Sequence, residues 1–300
     1  MDLSIVLVSY NDLARLKACL ASLGENPPAA EHEILVVDNA STDGTVEAVR
    51  REFPAVRVIA NPRNAGFSAA NNRGAAESRG RALLFLNTDT VVPRGALTAL
   101  LARLASDPAA GAAGPALVRG PGDYQVSFGT RVDFFAQIFQ KFVLNPRWKR
   151  ALRKNARRQI ETGCEAGWLS AACLLCRREA FEGVGGFDER FFIYFEDIDL
   201  CVRMRAAGWK LLFVPAVEVR HEGGATTSAT PALRAASRLE YRRSQLYFYR
   251  KHNSAASRRL LRASLRIGLV LLGWRGAFRG DAGRALKAGY RDLLREEKAP

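Results

Sequence analysis

Three apolar runs in the first third of the chain each end in polar side chains. Leu3–Val8 runs into Ser9-Tyr10-Asn11, Ile34–Val37 into Asp38-Asn39, and Ala82–Leu86 into Asn87-Thr88-Asp89. Further on, Glu196-Asp197-Ile198-Asp199 gathers three acids in four residues, and His221 stands between an apolar run and Glu222-Gly223-Gly224. Carboxylates so placed suit two different tasks. An aspartate at the end of a strand, with few basic groups nearby, suits a hard divalent cation, Mg²⁺ or Mn²⁺, shared with a substrate phosphate. A carboxylate beside apolar surface, as Glu196 and Asp197 are beside the phenylalanines and tyrosine of 187–195, has its basicity raised, and general-base catalysis needs that tuning. Neither the glycine fingerprint for dinucleotides nor a phosphate loop follows the first strand, so phosphates are not expected on a glycine-rich loop.

The elements that must position these groups alternate. Leu13, Leu16, Leu20 and Leu23 repeat at helical spacing, and Ser41, Thr42 and Asp43 offer caps to a helix through Val46 and Val49. Val56–Ala60 reads as a strand, 68–78 as a small-residue helix, and Leu97, Leu100, Leu101 and Leu104 as another helix. Short apolar strands alternating with helices predict an α/β fold with a mostly parallel, Rossmann-like sheet covered on both faces. Ligands bind such sheets at the carboxyl edge. Capping explains any one polar strand end, but Asp38 and Asp89 on one rim predict a binding site. The acids at 196–199 also favour a helix N-terminus by ~0.3–1 kcal/mol each, and Asp199 can pair with Arg203 at i,i+4. Cys173 and Cys176 form a Cys-x-x-Cys pair without a second pair at zinc spacing, and on a strand they face opposite sides; buried structural thiols are expected.

The 300 residues carry a formal +15 and a pI near 10.2, which invites a nucleic-acid or anionic-membrane reading. The excess is local. Residues 141–160 hold eight Lys/Arg and no acid (+8), and 234–300 hold seventeen against five (+12), which leaves −5 on the remainder. No nucleic-acid recognition motif is present, and the rim acids oppose that reading. The C-terminal stretch, about 231–298, reads as basic helices with interleaved Tyr241, Tyr247, Phe248, Tyr249, Trp274 and Phe278, the composition of helices that lie on anionic bilayers. Its longest apolar run, Ile267–Trp274, is far below the ~20 residues of a membrane span. The start, Met1-Asp2-Leu3-Ser4, lacks the basic region of a secretory leader, and five cysteines suit a reducing compartment. A cytoplasmic protein, peripheral on the inner face of the cytoplasmic membrane, is expected.

Taken together these motifs resemble the family 2 glycosyltransferases, inverting enzymes of the GT-A fold, over roughly residues 3–225. The resemblance rests on residues 4–11, Val37-Asp38-Asn39-Ala40-Ser41-Thr42-Asp43-Gly44-Thr45, Asn64-Ala65-Gly66-Phe67 with Asn71, Leu86-Asn87-Thr88-Asp89, Gly186-Phe187-Asp188-Glu189, and Glu196-Asp197-Ile198-Asp199-Leu200 with Arg203. Within the family the chain looks most like the rhamnosyltransferase branch that acts on bacterial cell-surface glycans. The resemblance implies a nucleotide-sugar donor, with dTDP-rhamnose favoured over a UDP-hexose or UDP-HexNAc, and a glycan or lipid-linked acceptor. It implies a donor pocket of Ser9, Tyr10, Asn11, Asp38, Asn64, Gly66 and Asn87. It further implies Mg²⁺ or Mn²⁺ on Asp89 and His221, Asp197 as catalytic base with Glu196 beside it, and Trp168 as a wall for sugar or acceptor. Asn87 replaces the first acid of the family's Asp-x-Asp pattern. The Gln-x-x-Arg-Trp motif and spanning helices of processive synthases are missing, which favours addition of single sugars. A catalytically silent relative is the remaining alternative, opposed by Asp89 and Asp197. Residues 1–230 are expected to form the catalytic domain, with a variable basic insert at 119–162, and 231–300 a membrane-associating helical region.

Overall fold

The computed structural model describes residues 1–129, 164–223, 230–274 and 280–296. Among these, one compact unit comprises 1–129, 164–192 and 196–223, and a second comprises 193–195, 230–274 and 280–296. The basic cluster at 141–160 lies outside the described residues.

In the first unit, β1 (Leu3–Ser9), β2 (His32–Asp38), β3 (Arg57–Ala60) and β4 (Ala82–Asn87) are parallel in the order β3-β2-β1-β4. The sheet continues through β10 (Cys173–Arg177), β6 (Ala110–Val118) and β11 (Lys210–His221) to the short β5 (Thr90–Val91), with β8 (Cys164–Glu165) also on β11. β6 and β11 are parallel to each other, but β10 runs antiparallel to both its neighbours. A two-stranded sheet pairs β7 (Phe128–Gly129) with β9 (Trp168–Leu169). The predicted mostly parallel sheet is present, with β10 reversed at its centre and the two-residue β5 and β8 antiparallel to β11.

Strand alternation sorts the core into two layers. Ile5, Leu7, Leu84 and Leu86 face Leu16, Leu20 and Leu23 of α1 (Leu13–Glu25), Val49 of α2 (Thr45–Glu52), and Leu97, Leu100 and Leu104 of α4 (Ala96–Ala105). Val6, Val37, Phe85 and Leu174 face Ala70 and Ala75 of α3 (Gly66–Glu77), Phe181 of α5 (Arg178–Gly183), and Leu200 and Met204 of α6 (Glu196–Ala206). Cys173 lies in the first layer and Cys176 in the second, as the strand reading requires, and both are buried free thiols.

Two local details bear on these readings. The N-cap position of α2 is Gly44, in the left-handed region. Asp43, one residue before it, still serves the helix start, its Oδ1 accepting from Thr45 N (3.3 Å) and Thr45 Oγ1 (2.5 Å). Its Oδ2 accepts from Leu13 N (3.0 Å), and Thr42 N donates to Asn11 Oδ1 (2.7 Å), so these residues also tie two loops together. The apolar run before His221 is part of the twelve-residue β11, which crosses Pro215 by shifting register between Val214 and Glu218. Proline lacks the ladder donor, and a bulge accommodates it.

The second unit contains α7 (Pro231–His252), α8 (Ala255–Trp274) and α9 (Gly280–Glu296). Thr230 caps α7 through Oγ1, which accepts from Leu233 N at 3.2 Å, with Pro231 at the first position. No helix of the described residues is long and apolar enough to cross a membrane.

Candidate active site

Sheet register carries the predicted rim residues to one edge: Ser9 aligns with Asp38 across β1 and β2, and Val8 with Asn87 across β1 and β4. The loops leaving that edge are strained. Asn11 (φ 50°) and Ala40 (φ 62°) occupy the left-handed region that side chains avoid, and such outliers gather at functional sites. Asp38 is 2% exposed; its Oδ2 accepts from Ser41 N at 2.9 Å. Its Oδ1, and the hydroxyl of Ser9, are buried with no partner among the described residues. A buried oxygen without a partner is costly by about 1–3 kcal/mol, so these two atoms are suited to meet a ligand. Tyr10 is 43% exposed at the same edge.

The next loop is shaped by Asn39, Asn64 and Gly66. Asn64 Oδ1 accepts from Gly66 N (3.0 Å), and Asn39 Nδ2 donates to Gly66 O (3.1 Å). Gly66 has φ +85°, and a Cβ there would lie 2.7 Å from Phe192, whose carbonyl accepts from Phe67 N. Only glycine fits. Asn64 and Gly66 thus serve the loop's shape through their own hydrogen bonds.

Asn87, Asp89 and His221 converge. Asp89 Oδ1 lies 3.2 Å from His221 Nε2, which is 3.3 Å from Asn87 Nδ2. Asp89 and His221 are 10% and 12% exposed. The loop after β11 holds Asp89 from behind: Glu222 N donates to Asp89 O and Gly223 N, at φ +74°, to Oδ2, both at 3.0 Å. Burial works against the Asp89 anion, but the contacts with His221 and Gly223 N–H outweigh it and hold the carboxyl below its ordinary range. Arg15 braces the ensemble, pairing with Asp12 (2.7 Å) and Glu222 (3.0 Å), while Asp12 accepts from Thr88 Oγ1 (3.0 Å). A carboxylate oxygen and an imidazole nitrogen suit Mn²⁺ or Mg²⁺. No cluster of three or more His, Cys, Asp or Glu fit for a metal occurs among the described residues. Such a pair fits an ion that takes its other ligands from a diphosphate.

The second acidic group sits one strand away. Because β10 is reversed, its N-terminal end lies at the same edge, and Asn87 N donates to Ala172 O at 3.0 Å. Ala171 N in turn donates to Asp197 Oδ2 (3.1 Å), and Ile198 N to Oδ1 (2.8 Å). Glu196 is 6% exposed, and its Oε2 has no partner among the described residues. Burial pushes both carboxyls up, Glu196 further because the Asp197 charge adds to it. The two backbone donors favour ionised Asp197, so Glu196 keeps its proton as Asp197 loses its own. The expected Asp199–Arg203 pair is present at 2.8 Å, and Arg203 also donates to Val184 O, which makes this acid structural. Trp168 packs on the second core layer with its Nε1 buried and without a partner among the described residues. Sequence reasoning missed Arg15 and Gln125, whose Oε1 lies 2.9 Å from His221 Nδ1; neither follows a strand directly, whereas Thr88, at the end of β4, belongs to the polar strand ends already read.

Residues 4–185 match the model of glycosyl transferase family 2. The N-acetylglucosaminyl-diphospho-decaprenol L-rhamnosyltransferase of Mycobacterium tuberculosis is 36% identical over 286 residues, 90% of this chain and 91% of that protein. The mannosyltransferase PcManGT from Pyrobaculum calidifontis, solved with GDP-Man and Mn²⁺, superposes with a TM-score of 0.58 at 18% identity, over 97% of this chain and 84% of that one. GalNAc-T7, solved with UDP, GalNAc and Mn²⁺, gives 0.58 at 21% identity over 83% of this chain and 50% of that one, so the likeness spans half of GalNAc-T7. The fold is GT-A, and the chain belongs to glycosyl transferase family 2.

Proposed function

We propose that this glycosyltransferase moves one sugar, with inversion, from a nucleotide-diphosphate sugar to a hydroxyl of a lipid-linked glycan in bacterial cell-surface polysaccharide synthesis, with dTDP-rhamnose as donor. One observation carries the chemistry: a single sheet edge bears Asp89, held ionised, and Asp197, whose affinity for a proton is raised. The donor and acceptor classes draw support from the 36% identical mycobacterial relative, named for L-rhamnosyl transfer to a GlcNAc-diphospho-lipid.

Asp38 and Ser9 offer their unpartnered oxygens to base and ribose, with Tyr10 and Asn11 lining that pocket and Asn64 and Gly66 shaping its neighbouring loop. Asp89 and His221, with Asn87 beside them, would hold Mn²⁺ or Mg²⁺, which when bound neutralises the departing diphosphate. Asp197 accepts the proton of the acceptor hydroxyl as that oxygen attacks the anomeric carbon on the side opposite the diphosphate. Glu196, protonated, stands behind it, and Trp168 walls the sugar. A thermal-shift series of dTDP- and UDP-sugars with Mn²⁺, Mg²⁺ or EDTA tests this: dTDP-rhamnose stabilises most, and only with metal. Preference for a UDP-hexose would overturn the donor assignment.

An anionic membrane surface is the second partner in this reading, with 1–230 catalytic and 231–300 docking on the inner face of the cytoplasmic membrane. On α8, Leu260, Ala263, Ile267 and Val270 form one stripe at helical spacing, and Leu260, Ile267 and Val270 are 41%, 60% and 55% exposed. The helix carries Arg258, Arg259, Arg262 and Arg266 and no acid, and Leu261 and Leu265 fill its buried side. Exposed apolar stripes beside arginines suit the headgroup boundary of anionic lipid. Vesicles of phosphatidylglycerol sediment the protein at low salt, and Ile267→Glu releases it; equal binding to phosphatidylcholine vesicles would sink the electrostatic part.

A further inference from the structure

Between β6 and β7 lies a turn that brings the Gln125 side chain to His221 from behind. Arg119 N donates to Asp123 O and Asp123 N to Gly120 O, both at 3.0 Å, and Tyr124 bridges back to Val118. The turn returns the chain along β6, where Gln125 N donates to Leu117 O at 2.8 Å. β6 and β11 are parallel with Val118 beside Arg220, so Gln125 arrives next to His221.

The side chain of Gln125 meets His221 twice: its Nε2 donates to the His221 carbonyl, and its Oε1 lies 2.9 Å from Nδ1 of the ring. A backbone carbonyl only accepts, so the amide nitrogen must face it, and Oε1 must then face the ring. An amide oxygen only accepts, so Nδ1 must carry the hydrogen. In a neutral imidazole the remaining nitrogen, Nε2, is left with its lone pair. That lone pair lies 3.2 Å from Asp89 Oδ1, itself an acceptor. A doubly protonated ring would donate to Asp89 from Nε2, the contact that favours its anion. In the neutral ring that donor is gone, the Asn87 amide nitrogen lies 3.3 Å from the lone pair, and the Asp89–Nε2 pair is left for a cation. The other tautomer, with hydrogen on Nε2, would let His221 and Asp89 satisfy each other by a neutral hydrogen bond and close the site.

We propose that Gln125 is a positioning residue that selects the His221 tautomer and so keeps the Asp89–His221 pair open to a divalent cation. This rests on the cation reading of that pair. Partners that fix a ligating histidine from its far nitrogen typically affect metal affinity 10–100-fold.

The chain has only three histidines, His32, His221 and His252, so ring-nitrogen NMR resolves each. At mildly alkaline pH without metal, ¹H–¹⁵N correlation spectra should show hydrogen on Nδ1 of His221 in the wild type. Gln125→Leu should move it to Nε2 and weaken Mn²⁺ binding, followed by the EPR signal of free Mn²⁺, by about 10–100-fold. Gln125→Glu, which keeps an acceptor for Nδ1, should retain both the tautomer and most of the Mn²⁺ affinity. A wild-type His221 protonated on Nε2, or Gln125→Leu with unchanged tautomer and Mn²⁺ affinity within twofold, overturns the proposal. A wild type that binds no Mn²⁺ yet loses its tautomer in Gln125→Leu removes the cation reading and leaves the positioning role standing.

Discussion

Asp89 and Asp197 occupy the same edge of one sheet, are linked through Asn87 and the 171–172 backbone, and are driven in opposite directions. Both are substantially buried, and burial alone would raise both. Asp89 escapes because the His221 ring, when it carries hydrogen on both nitrogens, and the Gly223 N–H favour its anion; in the proposed site a cation takes the place of the Nε2 hydrogen. Asp197 has two backbone donors of its own, yet burial still prevails, and beside it stands Glu196 with an unpartnered oxygen. The lesson is that depth and the groups opposite act together. Asp89 is less deeply buried and meets His221 and a backbone N–H, whereas Asp197 is buried further than its two backbone donors can offset, which suits the two to the different roles proposed.

That contrast can be broken at either end. The largest effect is expected from Asp197→Asn, which removes the proposed proton acceptor while leaving the proposed nucleotide pocket intact. Its kcat should fall about 10²–10⁴-fold with an unchanged donor-induced thermal shift, and near-normal turnover would end the base assignment. Asp89→Asn should come next. With the several kcal/mol of metal stabilisation gone, kcat/KM drops about 10²–10³-fold and the donor no longer stabilises the protein in a metal-dependent way. Metal-dependent stabilisation that survives in this variant would place the cation elsewhere. The smallest effect belongs to Glu196→Gln, because Glu196 already holds its proton when Asp197 is ionised. Activity should stay within about fivefold, well short of a catalytic group's contribution. Stability is the sharper reading. Below the ordinary glutamate range, near 4.3, both folded and unfolded Glu196 are protonated; above it only the unfolded chain releases the proton, so wild-type stability declines as pH rises. Glu196→Gln should flatten that decline, with Tm exceeding wild type by more at pH 8 than at pH 5. A parallel pair of pH profiles would refute a raised Glu196.

Much of this arrangement is legible in the residues because strand periodicity is local information. Cys173 and Cys176 on opposite faces, the polar ends of β1, β2 and β4, and the Asp199–Arg203 pair follow from spacing alone. What spacing cannot carry is pairing between distant segments. Gln125 reaches His221 only because β6 and β11 are neighbours, and Arg15 meets Glu222 across 207 positions of sequence. Asp43 reads as a helix cap because aspartate before a helix commonly is one. It does serve Thr45 N at the start of α2 from just before the left-handed Gly44, but its second oxygen also binds Leu13 N, a link between loops that spacing does not show. Nor does spacing show that β11 runs through Pro215, whose missing donor falls at a bulge, on to His221.

The reversal of β10 has a further consequence. β6 leaves the sheet at the catalytic edge and β10 re-enters at that same edge, so everything from 119 to 172 begins and ends there. Doubling the length of such an excursion costs only about 0.6 kcal/mol in closure entropy. The described ends of this segment are anchored at that edge, Gln125 at His221 and Ala171 at Asp197. An insertion between those anchors therefore costs little in closure, whereas a change at either anchor reaches His221 or Asp197 directly.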